Sequence, residues 1–477
     1  MLKKGLKPLL QTNYLNLLIM KNSIAILTPD TFKMTKDAYL GGLLQLSENQ
    51  PLNIKGELGS HLEKIRQKSA NEVVQLNLPT NQDENWRFTD LSDLIKQDWH
   101  SSTATELNKI ILEGFALTEA SHSRLVFVNG YYAPNLSDIT ALPNTVYVGN
   151  LANLPQDKVS KISNYLGKND AEKEVFTALN TSGLTDAFVI WVEKNINIET
   201  PIHLLHLTAR DNLSILTQPR ILVVGEANSS FNFIEYYGAI ASGCSDSAKQ
   251  QYYFTNVVTE ITLENNAQIN HNRIQRESGD GFHIANTIVN QARNSRYTIN
   301  EVSLGGKLYR HNLQINQEGE QTETSLNGLT MLQGKQMGDT HSQVNLSKPH
   351  GTVNQLHKYI IDDSGRGVFN GRINVPKLAQ LTNASQLNRN LLLSDKARIN
   401  TKPELQITAD NVKCAHGATV SQLEADEIFY LRSRGLNEYD ARHLLIDAFA
   451  GEIIEKLPYE SLKQRLTQCV ACRTIDN

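Results

Sequence analysis

A cysteine and a histidine stand two residues apart near the end of the 477-residue chain, in the segment KCAHGATVSQ at residues 413–422. Thiolate sulfur and imidazole nitrogen are suitable ligands for iron, zinc and iron–sulfur clusters. Residues i and i+2 of a β-strand point to the same face, so Cys414 and His416 would project together, and Gly417 would leave room for a close approach. Such a pair is only part of a ligand set. Taken alone, the residues favour a simpler alternative, a buried inert cysteine beside a hydrogen-bonded histidine.

The other cysteines do not supply a second metal site. Cys469 and Cys472 form a C-x-x-C pair, but no further Cys or His pair stands at the spacing of a structural zinc site. A redox C-x-x-C motif normally opens a helix next to a strand, so here we expect two thiols on a terminal helix. With Cys244, the chain has 4 cysteines, a usage that fits a reducing compartment.

Motifs for nucleotide binding and hydrolysis are missing from the sequence. The segments LGGKL and QGKQM lack the upstream glycine and the following Ser or Thr of a P-loop, and GRGVFNGR does not have the dinucleotide-binding spacing. No H-E-x-x-H or G-x-S-x-G motif occurs. With 46 Lys and Arg against 50 Asp and Glu, the net charge of −4 argues against a general nucleic-acid binder.

The N-terminal part of the chain divides into two segments. Residues 1–33 begin with a basic, leucine-containing stretch that is one feature of a targeting segment, but polar residues interrupt it and no cleavage site follows. It is also too short and too polar to span a membrane, so an N-terminal extension is the preferred expectation. Residues 34–184 mix helical and loop signals. They are predicted to contain a helix at 61–76, a strand that turns at Asn129–Gly130, and a helix that ends near Gly183.

Residues 185–420 carry short alternations of apolar and polar residues with hardly a helical pattern. An asparagine-containing unit recurs along them, with Asn266 and Asn294 being 28 residues apart and Asn300 and Asn327 being 27 apart. A near-constant period of this size predicts a solenoid whose turns carry two or three strands, with Ile, Leu, Val and Phe ladders inside. An antiparallel sandwich is the alternative, but Asn-Gly hairpin signals are sparse.

Three histidines of this region lie close together in the sequence, His341, His350 and His357. On successive strands of a solenoid they would be able to converge. Surface or corner positions are the stronger expectation, because polar side chains normally face outward from a solenoid.

After Ser421 the hydrophobic period changes from 2 to 3.6 and predicts a helical domain over residues 421–477. Ser421 and Glu424 have the spacing of a capping box, and Gly435 is placed to end the first helix. Asn437 is placed to cap a second helix, and a third helix follows it. The Cys–His pair therefore lies just before the boundary between the β region and the helical domain.

Long segments of the chain are similar to the SufB/SufD family of iron–sulfur cluster assembly proteins. The segment VKCAHGATVSQLEADEIFYLRSRGLNEYDARHLLIDAFAGEII at 412–454 resembles the C-terminal signature of that family, and ENWRFTDLS at 84–92 resembles its N-terminal element. FTALNTSGLTDAFVI and TPIHLLH match the segment that leads into the family core. The likeness extends from about residue 40 onward. The small number of cysteines in the β region makes the chain more similar to SufD than to SufB.

This resemblance implies a mainly β fold, a right-handed parallel β-helix core with helical N-terminal and C-terminal regions. It also implies a heterodimer with SufB and docking of the ATPase SufC on the C-terminal helices, without a nucleic-acid or membrane partner. The compartment would be the cytoplasm or, alternatively, the plastid stroma. The isolated chain would hold no cofactor tightly. Iron or an iron–sulfur cluster would be held transiently at the SufB interface, where the functional Cys and His of the family fall on Cys414 and His416.

Two docking surfaces are predicted from this arrangement. The last strands of the solenoid, about residues 385–420, would pair with the partner scaffold, because an uncapped solenoid end exposes unpaired backbone groups; Leu391 and Leu393 are the residues we assign to it. The ATPase would dock on apolar and arginine side chains of the helical tail. These are Arg432, Arg434, Leu444, Leu445, Phe449, Leu462 and Leu466.

The resulting hypothesis is a non-enzymatic scaffold subunit of an assembly complex whose ATPase activity resides in a partner. One alternative is an enzyme built on a β-helix, of a carbohydrate-active (pectin-degrading) or acyl-transfer type. Such an enzyme would place carboxylates or a histidine on an exposed groove, where this sequence has mostly Asn, Gln, Thr and Arg. A second alternative is a purely structural interaction module, in which the Cys–His pair never contacts a cluster.

Overall fold

The computed structural model describes residues 36–168, 174–209, 213–240 and 251–474. The expected N-terminal extension and Cys244 lie outside the described residues. The described chain is mainly β, with helices toward both termini. None of its helices is both long enough and apolar enough to cross a membrane.

The α-helices of the described chain are α1 (Lys36–Glu48), α2 (Gly56–Gln75), α3 (Ser92–Ile95), α4 (Gln156–Val159), α5 (Val175–Ser182), α6 (Ala425–Ser433), α7 (Glu438–Ile454) and α8 (Glu460–Thr474). Its strands are β1 (His100–Ser101), β2 (Arg124–Val128), β3 (Tyr131–Tyr132), β4 (Val146–Asn150), β5 (Phe188–Val192), β6 (Asn197–Ala209), β7 (Ile215–Thr217), β8 (Arg220–Gly225), β9 (Ser230–Ile240), β10 (Tyr253–Leu263), β11 (Gln268–Glu277), β12 (Gly281–Gln291), β13 (Arg296–Gly305), β14 (Leu308–Gln317), β15 (Glu323–Leu332), β16 (Met337–Leu346), β17 (Thr352–Ile361), β18 (Arg366–Val375), β19 (Asn383–Leu392), β20 (Arg398–Ile407) and β21 (Lys413–Ser421).

The N-terminal region contains the elements that the sequence predicted. Helix α2 includes residues 61–75 of the helix expected at 61–76, and α5 ends at Ser182 with Gly183 as its C-cap. Strands β2 and β3 form a hairpin around Asn129 and Gly130, whose φ values are 51° and 87°. Positive φ at both central residues is the backbone of a type I′ turn, which asparagine and glycine adopt most readily, so the predicted turn is confirmed.

From β6 onward the chain forms a parallel β-solenoid of about 7 turns. Each turn contributes one strand to each of two sheets. Even-numbered strands from β8 to β20 lie in order in an 11-stranded sheet, and odd-numbered strands from β9 to β21 lie in order in a 10-stranded sheet. Neighbouring strands of the solenoid are parallel, as in the pairs β10–β12 and β19–β21. The predicted parallel β-helix is confirmed, and the antiparallel sandwich is excluded.

The recurring asparagine unit marks a corner of the solenoid. Asn228, Asn266 and Asn294 have φ values of 60°, 61° and 57°, a left-handed conformation that asparagine tolerates better than most residues. These corner side chains stack between turns, with Asn266 Nδ2 donating to Asn228 Oδ1 at 2.8 Å. In the strands, Asn327 Nδ2 donates to Asn300 Oδ1 at 3.0 Å across the predicted 27-residue repeat. The sequence period is therefore the length of one turn.

Both outer faces of the solenoid are covered by the terminal regions. On the 11-stranded sheet, Trp86 and Phe176 of the N-terminal region pack in one cluster with Phe254 of β10. On the 10-stranded sheet, α7 and α8 pack in a cluster that includes Leu462 and Leu329. These apolar layers fix the terminal regions to the outside, and a third apolar cluster fills much of the lumen.

The two ends of the solenoid differ. At the N-terminal end, β4 pairs antiparallel with β5, and β2 with β3 extends the 10-stranded sheet beyond β6. At the C-terminal end, β20 and β21 are the last strands of their sheets, and no described strand covers their outer edges. The C-terminal end therefore presents free strand edges and an open lumen.

The helical tail begins later than the sequence predicted. Ser421 is the last residue of β21, and α6 starts at Ala425 with Glu424 at the N-cap position and no side-chain cap bond. The predicted capping box is therefore wrong, because the strand retains Ser421 in extended backbone. Gly435, with φ of 101°, follows α6, and Asn437 caps α7 by accepting a hydrogen bond from a backbone N–H, as predicted.

Candidate functional site

Cys414 and His416 lie on β21 and point to the inside of the solenoid. Their register partners on β19 are Ala384 and Gln386, which are both buried in the lumen. Because alternate residues of a strand share a face, the pair occupies the same inward row, as the sequence predicted. Gly417 belongs to the outward row, so the space that it leaves lies on the opposite face and not beside the pair.

The inward row becomes exposed at β20 and β21 because no further turn covers it in the described chain. Val375 of β18 is buried, whereas its register partner Ile407 in β20 is 39% exposed. Val420, in the inward row of β21, is 51% exposed. His416 is exposed, and Cys414 is half-buried against the apolar cluster of the lumen. The Cys–His pair therefore stands at the mouth of the lumen.

The chemistry of the pair fits iron, but the number of ligands is too small for a cluster. Burial raises the pKa of the Cys414 thiol, so in this chain it is protonated at neutral pH and has to release a proton when it binds a metal. Across the described residues, no group of three or more His, Cys, Asp or Glu side chains is arranged to hold a metal ion. What the described chain offers at this end is a partial ligand set.

A polar column lies in the lumen behind His416. Gln386 Nε2 donates to Gln355 Oε1 at 2.8 Å, and Gln355 Nε2 lies 2.6 Å from Ser342 Oγ and 3.2 Å from His357 Nδ1. The expectation of a surface or corner position for His357 is wrong. Burial in the lumen lowers the pKa of His357 to about 4, so its ring is neutral at physiological pH.

The other two histidines of the same region lie elsewhere on the solenoid. His350 occupies an exposed corner with φ of 62°, as expected. His341 lies on the outward row of β16, with its Nε2 3.0 Å from Asp339 Oδ1. The three histidines therefore face three different surroundings and do not form a common site.

Deeper in the lumen, an ionic cluster surrounds Arg273. Its Nε lies 3.3 Å from Glu235 Oε1, and its Nη1 lies 3.1 Å from Glu301 Oε1. Each carboxylate also faces a histidine, with His271 Nε2 3.0 Å from Glu235 Oε2 and His311 Nδ1 2.7 Å from Glu301 Oε1. All five side chains are buried. The pKa values of Glu235 and Glu301 lie below the usual range for a carboxyl group. Burial alone would raise them, but the nearby histidines and Arg273 stabilise the carboxylates by more than burial destabilises them.

Sequence reasoning missed this cluster because it expected apolar ladders inside the solenoid. Arg273 is the register partner of both Glu235 and Glu301, so the three charged residues occupy one inward position on successive turns. Aligning the strands by the 28-residue repeat would have placed Arg273 over Glu301. Opposite charges at an inward position of neighbouring repeats are the signal that reveals a buried ion pair.

The apolar residues that we assigned to ATPase docking separate into two groups. Leu462 and Leu466 are fully buried in the cluster beneath the tail, so they attach the tail to the 10-stranded sheet. Leu445 and Phe449 are partly buried, whereas Leu444 is 50% exposed. Leu444 is therefore the member of this set that is most available to a partner.

Sequence reasoning also missed exposed aromatic residues on the tail. Phe429 is 72% exposed, and Tyr430 and Tyr439 are exposed as well. Arg432 and Arg434 are exposed on the same part of the tail, with Arg432 Nη1 3.1 Å from Glu438 Oε2 of this chain. Exposed large apolar side chains are a feature of interaction surfaces. We call the exposed side chains of α6 and α7 that we assign to docking the tail patch; it comprises Phe429, Tyr430, Arg432, Arg434, Tyr439 and Leu444.

The two leucines assigned to the partner interface lie beneath the tail. Leu391 is 4% exposed and belongs to the same apolar cluster as Ile446 of α7. Leu393 is partly buried against this cluster. Ile407 and Val420, by contrast, are exposed apolar side chains at the open end.

Comparison with known proteins identifies relatives over nearly the whole chain. Residues 206–449 match the family described as "SUF system FeS cluster assembly, SufBD core domain", and residues 41–204 match "SufBD protein N-terminal region". The chain is 53% identical over 432 residues to an iron-sulfur cluster assembly SufBD family protein of Synechocystis sp., a match that covers 91% of this chain and 95% of the relative.

Two further relatives come from a plant and a bacterium. The chain is 35% identical over 431 residues to "Protein ABCI7, chloroplastic" of Arabidopsis thaliana, with 89% of each chain covered. It is 33% identical over 408 residues to the iron-sulfur cluster assembly protein SufD of Escherichia coli, with 84% of this chain and 90% of the relative covered.

Proposed function

Because this chain belongs to the SufBD family of the SUF iron–sulfur cluster assembly system, we propose that it is a SufD-like, non-enzymatic scaffold subunit. It pairs with a SufB-like scaffold and presents His416 and Cys414 to iron or a nascent iron–sulfur cluster, which is its transient cargo. The observation that carries the proposal is the position of these two ligand-type side chains at the uncapped end of the solenoid.

The open end is the surface that we assign to the SufB-like partner. A solenoid end that stays uncovered exposes strand edges and a slice of its core. Strands added by a partner across β20 and β21 would satisfy their backbone N–H and C=O groups. The same contact would bury Ile407 and Val420, and removing apolar surface from water stabilises a complex by about 25 cal/mol per Å².

Pairing at this end also completes the ligand set. The partner's side chains would lie next to Cys414 and His416, so the cluster is shared between two chains and neither chain holds it tightly alone. Neutral imidazole and thiolate are both suitable iron ligands. A site of this kind can release its cargo when the two chains move apart.

We assign ATP hydrolysis to a SufC-like ATPase that docks on the tail patch. The sequence of this chain has no P-loop of its own. The tail is coupled to the solenoid by Lys358 of β17, whose Nζ donates to the Phe449 carbonyl oxygen at 2.7 Å and pairs with Glu452. A displacement of α7 by the ATPase would therefore act on the strands that lead to the open end.

The compartment that we propose is the cytoplasm or the plastid stroma. Both keep thiols reduced, as Cys414 requires if it is to bind iron. The plastid alternative is supported by the chloroplastic relative from Arabidopsis thaliana.

The experiment measures iron and acid-labile sulfide per complex after expression with the SufB-like and SufC-like partners. We expect His416→Ala to assemble and melt like the wild type, because substitutions of exposed residues usually change stability by less than about 0.5 kcal/mol. We expect the His416→Ala complex to contain much less iron and sulfide than the wild-type complex. We expect the His416→Cys complex to contain an intermediate amount. His350→Asn is the control, because His350 lies at an exposed corner of the solenoid where asparagine tolerates the left-handed backbone. Full cluster loading by a stable His416→Ala complex would overturn the ligand role.

A further inference from the structure

The lumen contains a buried acceptor directly opposite His416. Gln386 is the register partner of His416 and lies one turn further inside. Its Oε1 is buried and has no hydrogen-bond donor in the part of the chain that the structure describes. A buried polar atom without a partner costs about 1–3 kcal/mol. The oxygen of Gln386 therefore marks the position of a missing donor.

The orientation of the Gln386 amide is set by the turns beneath it. Gln386 Nε2 donates to Gln355 Oε1 at 2.8 Å, and Gln355 in turn contacts Ser342 and His357. Gly371 leaves room for this amide, since a Cβ at that position would lie 2.3 Å from Gln386 Nε2. The Gln386 amide nitrogen is hydrogen-bonded to the turn beneath it. The amide oxygen is therefore the atom that can accept a hydrogen bond from the last turn, which contains β20 and β21.

Few side chains of the last turn can donate to that oxygen. In the inward row of β20, the hydroxyl of Thr401 already donates to Asn388 Oδ1 at 2.8 Å, and the other members of the row are apolar. In the inward row of β21, the Cys414 thiol is a weak donor, and two further members are Ala and Val. The ring N–H of His416 is the strong donor that stands opposite Gln386.

We propose that Gln386 is a positioning residue for His416. One ring N–H of His416 donates to Gln386 Oε1 when the open end is covered by the scaffold partner, so the imidazole is held as one neutral tautomer and its other nitrogen faces the iron. This proposal rests on the ligand role proposed for His416. Metal-binding histidines commonly donate their second ring N–H to a carbonyl or carboxylate, which fixes the tautomer and the ring orientation. The hydrogen-bonded column of polar side chains in the lumen would then orient His416 at the open end of the solenoid.

The test observes the tautomer of His416 directly. The heterodimer of the SufB-like scaffold and this chain, with only this chain carrying 15N-histidine, is examined by solid-state NMR of the sedimented complex. The His416 signals are those lost in His416→Ala. We expect one ring nitrogen to carry the proton and the other to be unprotonated in the wild type. A mixture of tautomers in the wild-type heterodimer would overturn the proposal without any variant.

Variants of the amide separate positioning from packing. In Gln386→Leu we expect the single tautomer to be replaced by a mixture, and in Gln386→Glu, which keeps an acceptor, we expect the same nitrogen to remain protonated. Gln343→Leu is the matched control, because Gln343 is an outward glutamine whose Nε2 donates to Asn345 Oδ1 at 3.1 Å. A tautomer that is unchanged in a folded Gln386→Leu heterodimer would overturn the proposal.

Titration of the heterodimer with ferrous iron measures whether the loss of the single His416 tautomer weakens iron binding. We expect Gln386→Leu to weaken iron binding by the heterodimer about 10–100-fold, the usual effect of removing the support of a metal ligand, and Gln343→Leu to leave it unchanged. Unchanged iron affinity in Gln386→Leu would contradict the positioning role. If His416→Ala binds iron as tightly as the wild type, the ligand role itself fails, and this result is independent of the tautomer found by NMR.

Discussion

Arg273 and Glu301 meet inside the solenoid, one turn apart at the same inward position, with 3.1 Å between Nη1 and Oε1. Both side chains are buried, so each charge has lost its hydration and depends for compensation on the charged neighbours of the cluster, which include Glu235 and His311. Breaking a buried pair is costly because it leaves an uncompensated charge in a medium of low dielectric constant. The stability of the polar interior therefore depends on the register between strands of successive turns.

Replacing Glu301 by Gln tests this dependence. Glu301→Gln removes the charge that faces both Arg273 and His311. It should lower the free energy of unfolding by about 3 kcal/mol, the lower end of the cost of a broken buried pair, because Glu235 still faces Arg273. The control is Glu323→Gln, whose carboxylate pairs with Arg296 at 3.2 Å on the exposed surface and should cost less than about 1 kcal/mol. Denaturant unfolding measures both variants, and equal costs would contradict a buried ionic cluster.

His206→Phe should make the chain less sensitive to acid. The His206 ring is stacked on Tyr237 and contacts Phe188, neither of its nitrogens has a hydrogen-bond partner among the described residues, and burial lowers its pKa to about 3. The unfolded chain binds a proton at this histidine below about pH 6.5, whereas the folded chain does not until about pH 3. The neutral buried ring therefore reduces stability progressively as the pH falls below about 6.5.

The measurement is denaturant unfolding of His206→Phe and the wild type at pH 7 and pH 5. Because phenylalanine binds no proton, the variant should gain stability relative to the wild type by about 2 kcal/mol more at pH 5 than at pH 7. The same difference in stability at both pH values would show that His206 is not held neutral in the folded chain.

Phe429→Asp should remove ATPase capture without affecting the fold. Phe429 is 72% exposed on α6, so an aspartate there should change stability by no more than about 0.5 kcal/mol while placing a charge in the tail patch. Pull-down of the SufC-like ATPase by the full chain is the measurement. Val74→Asp on α2, at a position that is equally exposed, is the control. Deleting the whole tail is a poorer test, because α7 and α8 cover the apolar outer face of the 10-stranded sheet.

Val420→Asp should yield a folded chain that no longer pairs with the SufB-like scaffold. Val420 lies in the exposed inward row of β21, and burying an unpaired carboxylate at an interface is strongly unfavourable. Leu391→Asp should instead unfold the chain or lower its melting temperature, because Leu391 is buried beneath the tail. Size-exclusion chromatography of the co-expressed scaffolds, beside a melting curve, distinguishes the two effects. Normal heterodimer formation by Val420→Asp would place the interface elsewhere.

The sequence by itself determined the solenoid, the helical ends and the Cys–His pair on one strand face. The 27-residue spacing of Asn300 and Asn327 is the length of a turn, and strand alternation is enough to place Cys414 and His416 together. These features are local or periodic, so backbone geometry and hydrophobic pattern specify them. The family signature at 412–454 follows from the same residues.

Only the tertiary structure decided which residues are buried and which are available. The apolar pattern of the tail predicts that Leu466 and Leu444 both belong to a docking face. In the structure, Leu466 is buried against the sheet, whereas Leu444 is half exposed. Gln386 reaches its place behind His416 because two turns stack in register, and Arg273 meets Glu235 and Glu301 for the same reason. Contacts between turns depend on how the coils stack and on what covers each face, and no local stretch of sequence contains that information.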